Sequence, residues 1–263
     1  MELESRPESI TLVRSTLGGL GEYLELDHEL LDDLKTAISE ACNNVVLHAY
    51  GDAVGPLLMS LEIGADSFDV TVRDRGAGIQ RATSAENRMG VGLAVISALA
   101  NRAEFQSAPG EGTEVRMSFG THGRITAELP TVDDAATVAL ELAGDIVATL
   151  SPAELLSEVL GRLVRAVAAG AHFAVDRFPA LHHLTSAIGA RASVGAPGRA
   201  VSLAITGRPR QLELRVGPLA PTDGGSLFDG PPPPALAPLL RTLETTPFGE
   251  AEMLYAVIVE PRE

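Results

Sequence analysis

Leu34-Lys35-Thr36-Ala37-Ile38-Ser39-Glu40-Ala41-Cys42-Asn43-Asn44-Val45-Val46-Leu47-His48-Ala49-Tyr50 is the stretch on which the reading of this chain turns. It belongs to an amphipathic helix. Asp27 is a good N-cap, and Leu30, Leu31, Leu34, Ile38, Ala41, Val45 and Val46 recur at the helical period up to about Tyr50. Glu40 and Asn44 stand four residues apart, which sets both on one face about one turn from each other. One can hold a metal while the other handles a proton. Taken alone, the pair reads sooner as a solvated helix face.

Upstream, Ser9 to Leu24 has a helical pattern weakened by Gly18, Gly19 and Gly21. Downstream come two strand-like runs, Leu57 to Ile63 and Phe68 to Asp74, joined by the hairpin connection Gly64-Ala65-Asp66-Ser67. Strand alternation places Phe68, Val70, Val72 and Asp74 on one side, so the carboxylate points towards the apolar layer, where an unpaired charge is costly. It either meets a donor there or caps the turn Arg75-Gly76-Ala77-Gly78, and the local sequence leaves both open. A glycine-rich segment, Gly76 to Gly92, leads into a third helix, Leu93 to Ala100. Ahead of that helix, Gly90-Val91-Gly92 lets backbone N–H groups approach an anion at the positive end of the helix dipole. Alone, Gly-x-Gly is weak evidence. A last strand runs from Glu114 to Phe119, and the order helix, helix, hairpin, helix, strand gives an α+β fold, a two-layer α/β sandwich with an antiparallel or mixed sheet.

Composition narrows the function. The chain has 263 residues, 45% of them hydrophobic, enough for one large domain or two ordinary ones. A net charge of -15 repels phosphate backbones and anionic lipid, so neither nucleic acid nor a membrane is the expected partner. Cys42 is the only cysteine, which rules out an internal disulfide, and with no signal-like or spanning segment the expected location is cytoplasmic. Lys35, the only lysine, lies in a helical pattern and not in the Gly-Lys-Ser/Thr of a P-loop.

Taken together, Glu40-x-x-x-Asn44, then Asp74-x-Gly76-x-Gly78, then Gly90-x-Gly92-Leu93 resembles the three nucleotide-binding boxes of the Bergerat-fold (GHKL) ATPases, the superfamily of gyrase and the histidine kinases. The Leu34–Tyr50 stretch, down to its closing His-Ala-Tyr, and a short lid from Gln80 to Met89 look most like the anti-sigma-factor serine kinases, over about residues 7 to 120. The resemblance implies ATP and Mg2+ as cofactors. It makes Asn44 the magnesium ligand, Asp74 the acceptor for the adenine amino group, Gly76 and Gly78 the close approach to the base, and Gly90, Gly92 and Leu93 the phosphate-binding segment. Thr113 is similar to the threonine that supports adenine through water. Glu40 matches the catalytic base. The implied partners are an anti-anti-sigma protein of the STAS type, phosphorylated on serine, and a sigma factor.

The second half reads as a repeat of the first: Ser60-Leu61-Glu62-Ile63 matches Ser202-Leu203-Ala204-Ile205, and Val70-Thr71-Val72-Arg73 falls on Leu212-Glu213-Leu214-Arg215. Any two α/β halves with hairpins also align this well by chance. The expected organisation is an ATP-binding domain over 1–122, a linker with a connecting helix (Asp133 to Leu150) over 123–150, and a degenerate second copy over 151–263. In that half, helices are expected from Pro152 to Ala190 and from Leu236 to Leu243, a hairpin from Ala200 to Val216, and a strand from Met253 to Val259. From Arg177 to Arg199 there is no Asp, Glu or Asn, the Asp74 equivalent is about Val216 or Pro218, and Pro231 to Pro234 stands where a lid would be. This half is expected to have kept the fold and lost nucleotide, and the protein to be a pseudo-dimer within one chain or a homodimer. His182 and His183 point in different directions on a helix and are expected as surface or packing residues. The alternative function is a non-catalytic ATP-binding interaction module with a pseudo-ATPase second half. A histidine-kinase fragment fits less well, since the chain has no helical phosphoacceptor hairpin.

Overall fold

A computed structural model describes residues 1–64, 66–78, 87–121, 125, 142–194, 200–221, 226–228 and 230–261. The chain divides into two compact units, Met1–Leu129 and Pro130–Glu263. Among the described residues, no helix is long and apolar enough to cross a membrane.

The first unit opens with strand β1 (Glu2–Glu4) and helices α1 (Pro7–Tyr23) and α2 (His28–Asn44). Asp27 caps α2 as its sequence position demands, its side chain accepting from the backbone N–H of Glu29 and Leu30, a contact worth about 1 kcal/mol. Beyond Asn44 the helix continues as one π-helical turn, Val45–Ala49. Strands β2 (Pro56–Ile63) and β3 (Ser67–Asp74) follow as an antiparallel hairpin closed by Gly64 N–H donating to the Ser67 carbonyl at 2.8 Å. Helix α3 spans Asn87–Leu99, and β4 (Arg102–Ala108) and β5 (Gly112–Gly120) complete the unit. The strands lie in the order β1-β2-β3-β5-β4, all antiparallel. Phe68, Val70 and Val72 on β3 and Val115, Met117 and Phe119 on β5 are buried, as are Leu30, Leu34, Ile38 and Cys42 of α2, so sheet and helices form the expected two layers.

Two sequence expectations are corrected here. The third helix begins at Asn87 and not at Leu93, so Gly90 and Gly92 lie inside it; glycine weakens a helix by only about 1 kcal/mol, which neighbouring turns outweigh. Strand β4 was not foreseen, because Arg102-Ala103-Glu104-Phe105-Gln106 carries too little apolar alternation for an edge strand to stand out. Residues 80–86 of the expected lid lie outside the described residues, and Asn87 to Met89 begin α3.

The second unit contains β6 (Ile146–Leu150), a short 3-10 turn, α4 (Leu156–Gly170), a second such turn, α5 (Phe178–Ser193), β7 (Val201–Arg208), β8 (Gln211–Leu219), β9 (Leu240–Phe248) and β10 (Ala251–Val259). Its strand order, β6-β7-β8-β10-β9, matches that of the first unit place for place. Leu203, Ile205, Leu214, Val216, Leu254 and Ile258 form the buried face of the sheet, covered by Val159, Leu163, Leu181, Leu184 and Ile188. His182 and His183 are exposed on α5.

Three more expectations change. The connecting helix expected from Asp133 to Leu150 ends, in its described part, as strand β6 paired with β7: Ile-Val-Ala-Thr-Leu favours a pleated ladder over a helix. Where a helix was expected at Leu236 to Leu243, the described residues turn as far as Leu239 and then enter β9, whose Thr242, Thr245 and Thr246 suit a strand. The gapless match of the two hairpins is out of register, since Ser60 pairs with Thr71 whereas Ser202 pairs with Gly217.

Candidate functional site

In the first unit, α2 with its π turn crosses over the ends of β3 and β5, and a cleft with about 430 Å³ of empty space, its open side included, lies between them. Asn44, Asp74, Gly78, Leu93 and Thr113, five residues singled out by sequence, line it together with His48 and the apolar Val72 and Val115.

Asp74 ends β3 on its inward side and is 2% exposed. Its Oδ1 accepts a hydrogen bond from Gly76 N–H at 2.7 Å. The turn-capping reading therefore holds, and the carboxylate also forms part of the cleft wall. The turn is fastened on either side. Ala77 N–H donates to the Ala49 carbonyl at 2.9 Å, and Gly110 N–H donates to the Ala77 carbonyl at 3.0 Å. Gly76 passes so close to Ala49 that a Cβ would collide with its carbonyl, and Gly78 adopts φ +75°, a left-handed conformation that glycine reaches without strain.

Glu40 and Asn44 meet α3 across the cleft. A Cβ built on Gly92 would stand 3.0 Å from Glu40 Oε2 and 3.5 Å from Asn44 Oδ1, so a side chain here would crowd both polar groups. Asn44 Nδ2 is buried without a hydrogen-bond partner among the described residues. A buried amide left in that state costs roughly 1–3 kcal/mol, a cost that a bound polar ligand removes. Thr113 Oγ1 lies 3.3 Å from Ser107 Oγ. Gly90 sits in the first turn of α3.

Sequence reasoning missed two contributors. The π turn presents Val45, His48 and Ala49 to the cleft; nothing in the local residue pattern distinguishes it from ordinary helix, although such turns gather at functional sites. Tyr50 was noted only as the end of a motif. Its hydroxyl donates to the Pro56 carbonyl at 2.7 Å and accepts from Arg75 N–H at 2.8 Å, which pins the residue next to Asp74; burial raises its pKa.

Residues 3–119 match the family model for the histidine kinase-like ATPase domain. The chain is 30% identical over 130 residues to the anti-sigma F factor of Thermoanaerobacter sp. (strain X514), an alignment that takes in 45% of this chain and 91% of that protein. It is 30% identical over 83 residues to the serine-protein kinase RsbW of Bacillus mycoides (strain KBAB4), covering 32% of this chain and 52% of that one. Among solved structures, the histidine kinase domain from the Erythrobacter litoralis EL346 blue-light activated histidine kinase aligns with 36% of this chain and 46% of its own at 22% identity and a TM-score of 0.32. With nine-tenths of that anti-sigma factor's length matched at 30% identity, the chain belongs to the anti-sigma-factor kinase family of the GHKL ATPases.

Proposed function

We propose that the first unit binds ATP with Mg2+ in this cleft and phosphorylates a serine on an anti-anti-sigma partner of the STAS type, releasing or holding a sigma factor as the partner's state changes. The observation that carries the reading is Asp74, a carboxylate 2% exposed in the wall of a cleft where Val45, Val72, Leu93 and Val115 supply apolar surface. The adenine amino group is the donor such an acceptor needs, while Val72 and Val115 offer apolar surface to the ring.

Asn44 fits the metal. Its side-chain oxygen would give one hard ligand to an ion that otherwise keeps water and phosphate oxygens, its unpartnered Nδ2 would donate to a phosphate oxygen, and bound Mg2+ would neutralise phosphate charge. The amino end of α3 would meet the phosphates, as helix N-termini bind anions. Glu40, one turn from Asn44, takes the hydroxyl proton as the serine oxygen bonds to the γ-phosphorus. The bond from that phosphorus to the bridging oxygen breaks, and ADP departs with the electron pair.

Labelled ATP incubated with the protein and candidate serine-bearing partners tests the reading, beside Glu40→Ala. The variant is expected to bind ADP as the wild type does and to transfer phosphate about 10²–10⁴-fold more slowly. Equal, negligible transfer by both, with ATP still bound, leaves only the non-catalytic binding module.

A further inference from the structure

The two units can be compared through their strand register. Laying Met59↔Val72 on Leu203↔Val216 keeps every inward residue inward, and Val72↔Val115 then falls on Val216↔Leu254. Asp74 lands on Pro218 and Thr113 on Glu252, the residue paired with Leu219 at a bulge. On the helices, the buried stripe Leu34, Ala37, Ala41, Val45 of the first unit corresponds to Leu181, Leu184, Ile188, Ala192 of the second, which sets Arg191 where Asn44 stands.

Arg191 is 7% exposed. Its Nε and Nη2 both donate to the Ala220 carbonyl at 3.0 Å, Nη2 also donates to the Glu252 carboxylate, and Nη1 is buried without a partner among the described residues. Ala220 follows Pro218 as Gly76 follows Asp74, and Glu252 takes the position of Thr113. The guanidinium thus touches the counterparts of the segments that frame the cleft of the first unit. It is a planar cation with donors in a fixed fork, held by a carboxylate and a main-chain carbonyl.

We infer that Arg191 is the internal ligand of the second unit: its guanidinium fills the place that corresponds to the nucleotide cleft, and that place is a binding site for a guanidinium-type cation. The inference rests on the nucleotide reading of the first unit. It explains why the second unit has no inward carboxylate at Pro218: the ligand is supplied by the chain and its counter-charge by Glu252. Nucleotide is then bound once per chain.

Two measurements test this. Calorimetric titration of the whole chain with ADP is expected to give one nucleotide per chain, and none in Asp74→Ala. In Arg191→Ala, breaking the buried pair is expected to lower the thermal transition by roughly 10 °C. Millimolar ethylguanidinium recovers part of that loss, ethylammonium does not, and neither helps Leu184→Ala, a cavity in the same helix. Two nucleotides per chain, one surviving in Asp74→Ala, or no selective recovery by ethylguanidinium overturns the inference. If Arg191→Ala does not accumulate as folded protein, the stoichiometry still decides. Absence of any ADP binding refutes instead the reading of the first unit, and the ethylguanidinium result then judges Arg191 by itself.

Discussion

Replacing Asp74 by asparagine changes one atom in a side chain that is 2% exposed, and it separates the carboxylate's two duties. The amide oxygen can still accept from Gly76 N–H, now 2.7 Å from Oδ1, so the turn after β3 keeps its cap and the fold is expected to survive. The other position becomes an NH2 group. Facing the adenine amino group it presents donor to donor, which removes a charge-assisted hydrogen bond of roughly 1.5–3 kcal/mol and adds about 1–3 kcal/mol for a buried group left unmatched. The sum, about 2.5–6 kcal/mol, weakens ADP binding by roughly two to four orders of magnitude. Inosine diphosphate supplies the second arm, because it carries a carbonyl where adenine carries the amino group. The wild type is expected to discriminate strongly against it, whereas Asp74→Asn can donate to that carbonyl and should lose or invert the preference. Calorimetric titration of both proteins with both nucleotides gives the four affinities. A loss of ADP affinity below threefold, or an unchanged ratio of ADP to inosine diphosphate affinity, would show that Asp74 does not face the base.

Two further perturbations report on the frame around that carboxylate. Tyr50→Phe deletes the donor to the Pro56 carbonyl and the acceptor for Arg75 N–H, at about 0.5–1.5 kcal/mol each, and is expected to weaken ADP binding several-fold with a modest fall in Tm; unchanged affinity would mean the pin does not position Asp74. Cys42 is fully buried in α2 and its thiol pKa is pushed from the usual 9.0 up to about 12 by burial. Because the folded value is the raised one, its contribution to stability is complete below pH 9 and is lost as pH climbs towards 12, at about 1.4 kcal/mol per unit. The urea midpoint of the wild type should therefore fall between pH 9 and 10.5, and that of Cys42→Ala should fall less, keeping only the slope of groups such as Tyr50, whose pKa is also raised.

The elements whose pattern repeats over several turns or several strand residues were legible in the sequence. Asp27 as a cap, the stripe of α2 and the alternation of β3 each combine a start signal with an apolar period, and local and tertiary preferences agree there. The failures fall where those preferences conflict. In α3, Gly90 and Gly92 argue against a helix that the rest of the unit nevertheless extends over them. At Leu240–Phe248 and Ile146–Leu150, short runs with Leu or Ile at either end fit a helical stripe and a strand about equally, and pairing with β10 and β7 decides. Register was illegible for a further reason: a slip of two residues keeps every side chain on its own face, so the alternation of Val70 and Val72 or of Leu212 and Leu214 cannot tell one pairing from the next.

The site was legible as a set of residues before it was legible as a place. Glu40, Asn44, Asp74 and Thr113 were chosen from three separate segments, and the structure brings them together because α2 lies over the ends of β3 and β5. What spacing alone cannot supply is the turn that makes room for a ligand. The π turn at Val45–Ala49 delivers the Ala49 carbonyl to Ala77 N–H, and that bond holds the loop after Asp74 against the helix end. In the second unit α5 stops at Ser193, the described residues show no π turn after it, and the polar group turned towards the strands is Arg191. A helix end of this fold that faces the sheet with a long cation has already met the acceptors of its strands, whereas one that faces it with a short, unpartnered amide leaves space and unsatisfied groups for a nucleotide. The inferred division of labour between the two units would then reduce to the side chain in one position of one helix and the strand residue opposite it.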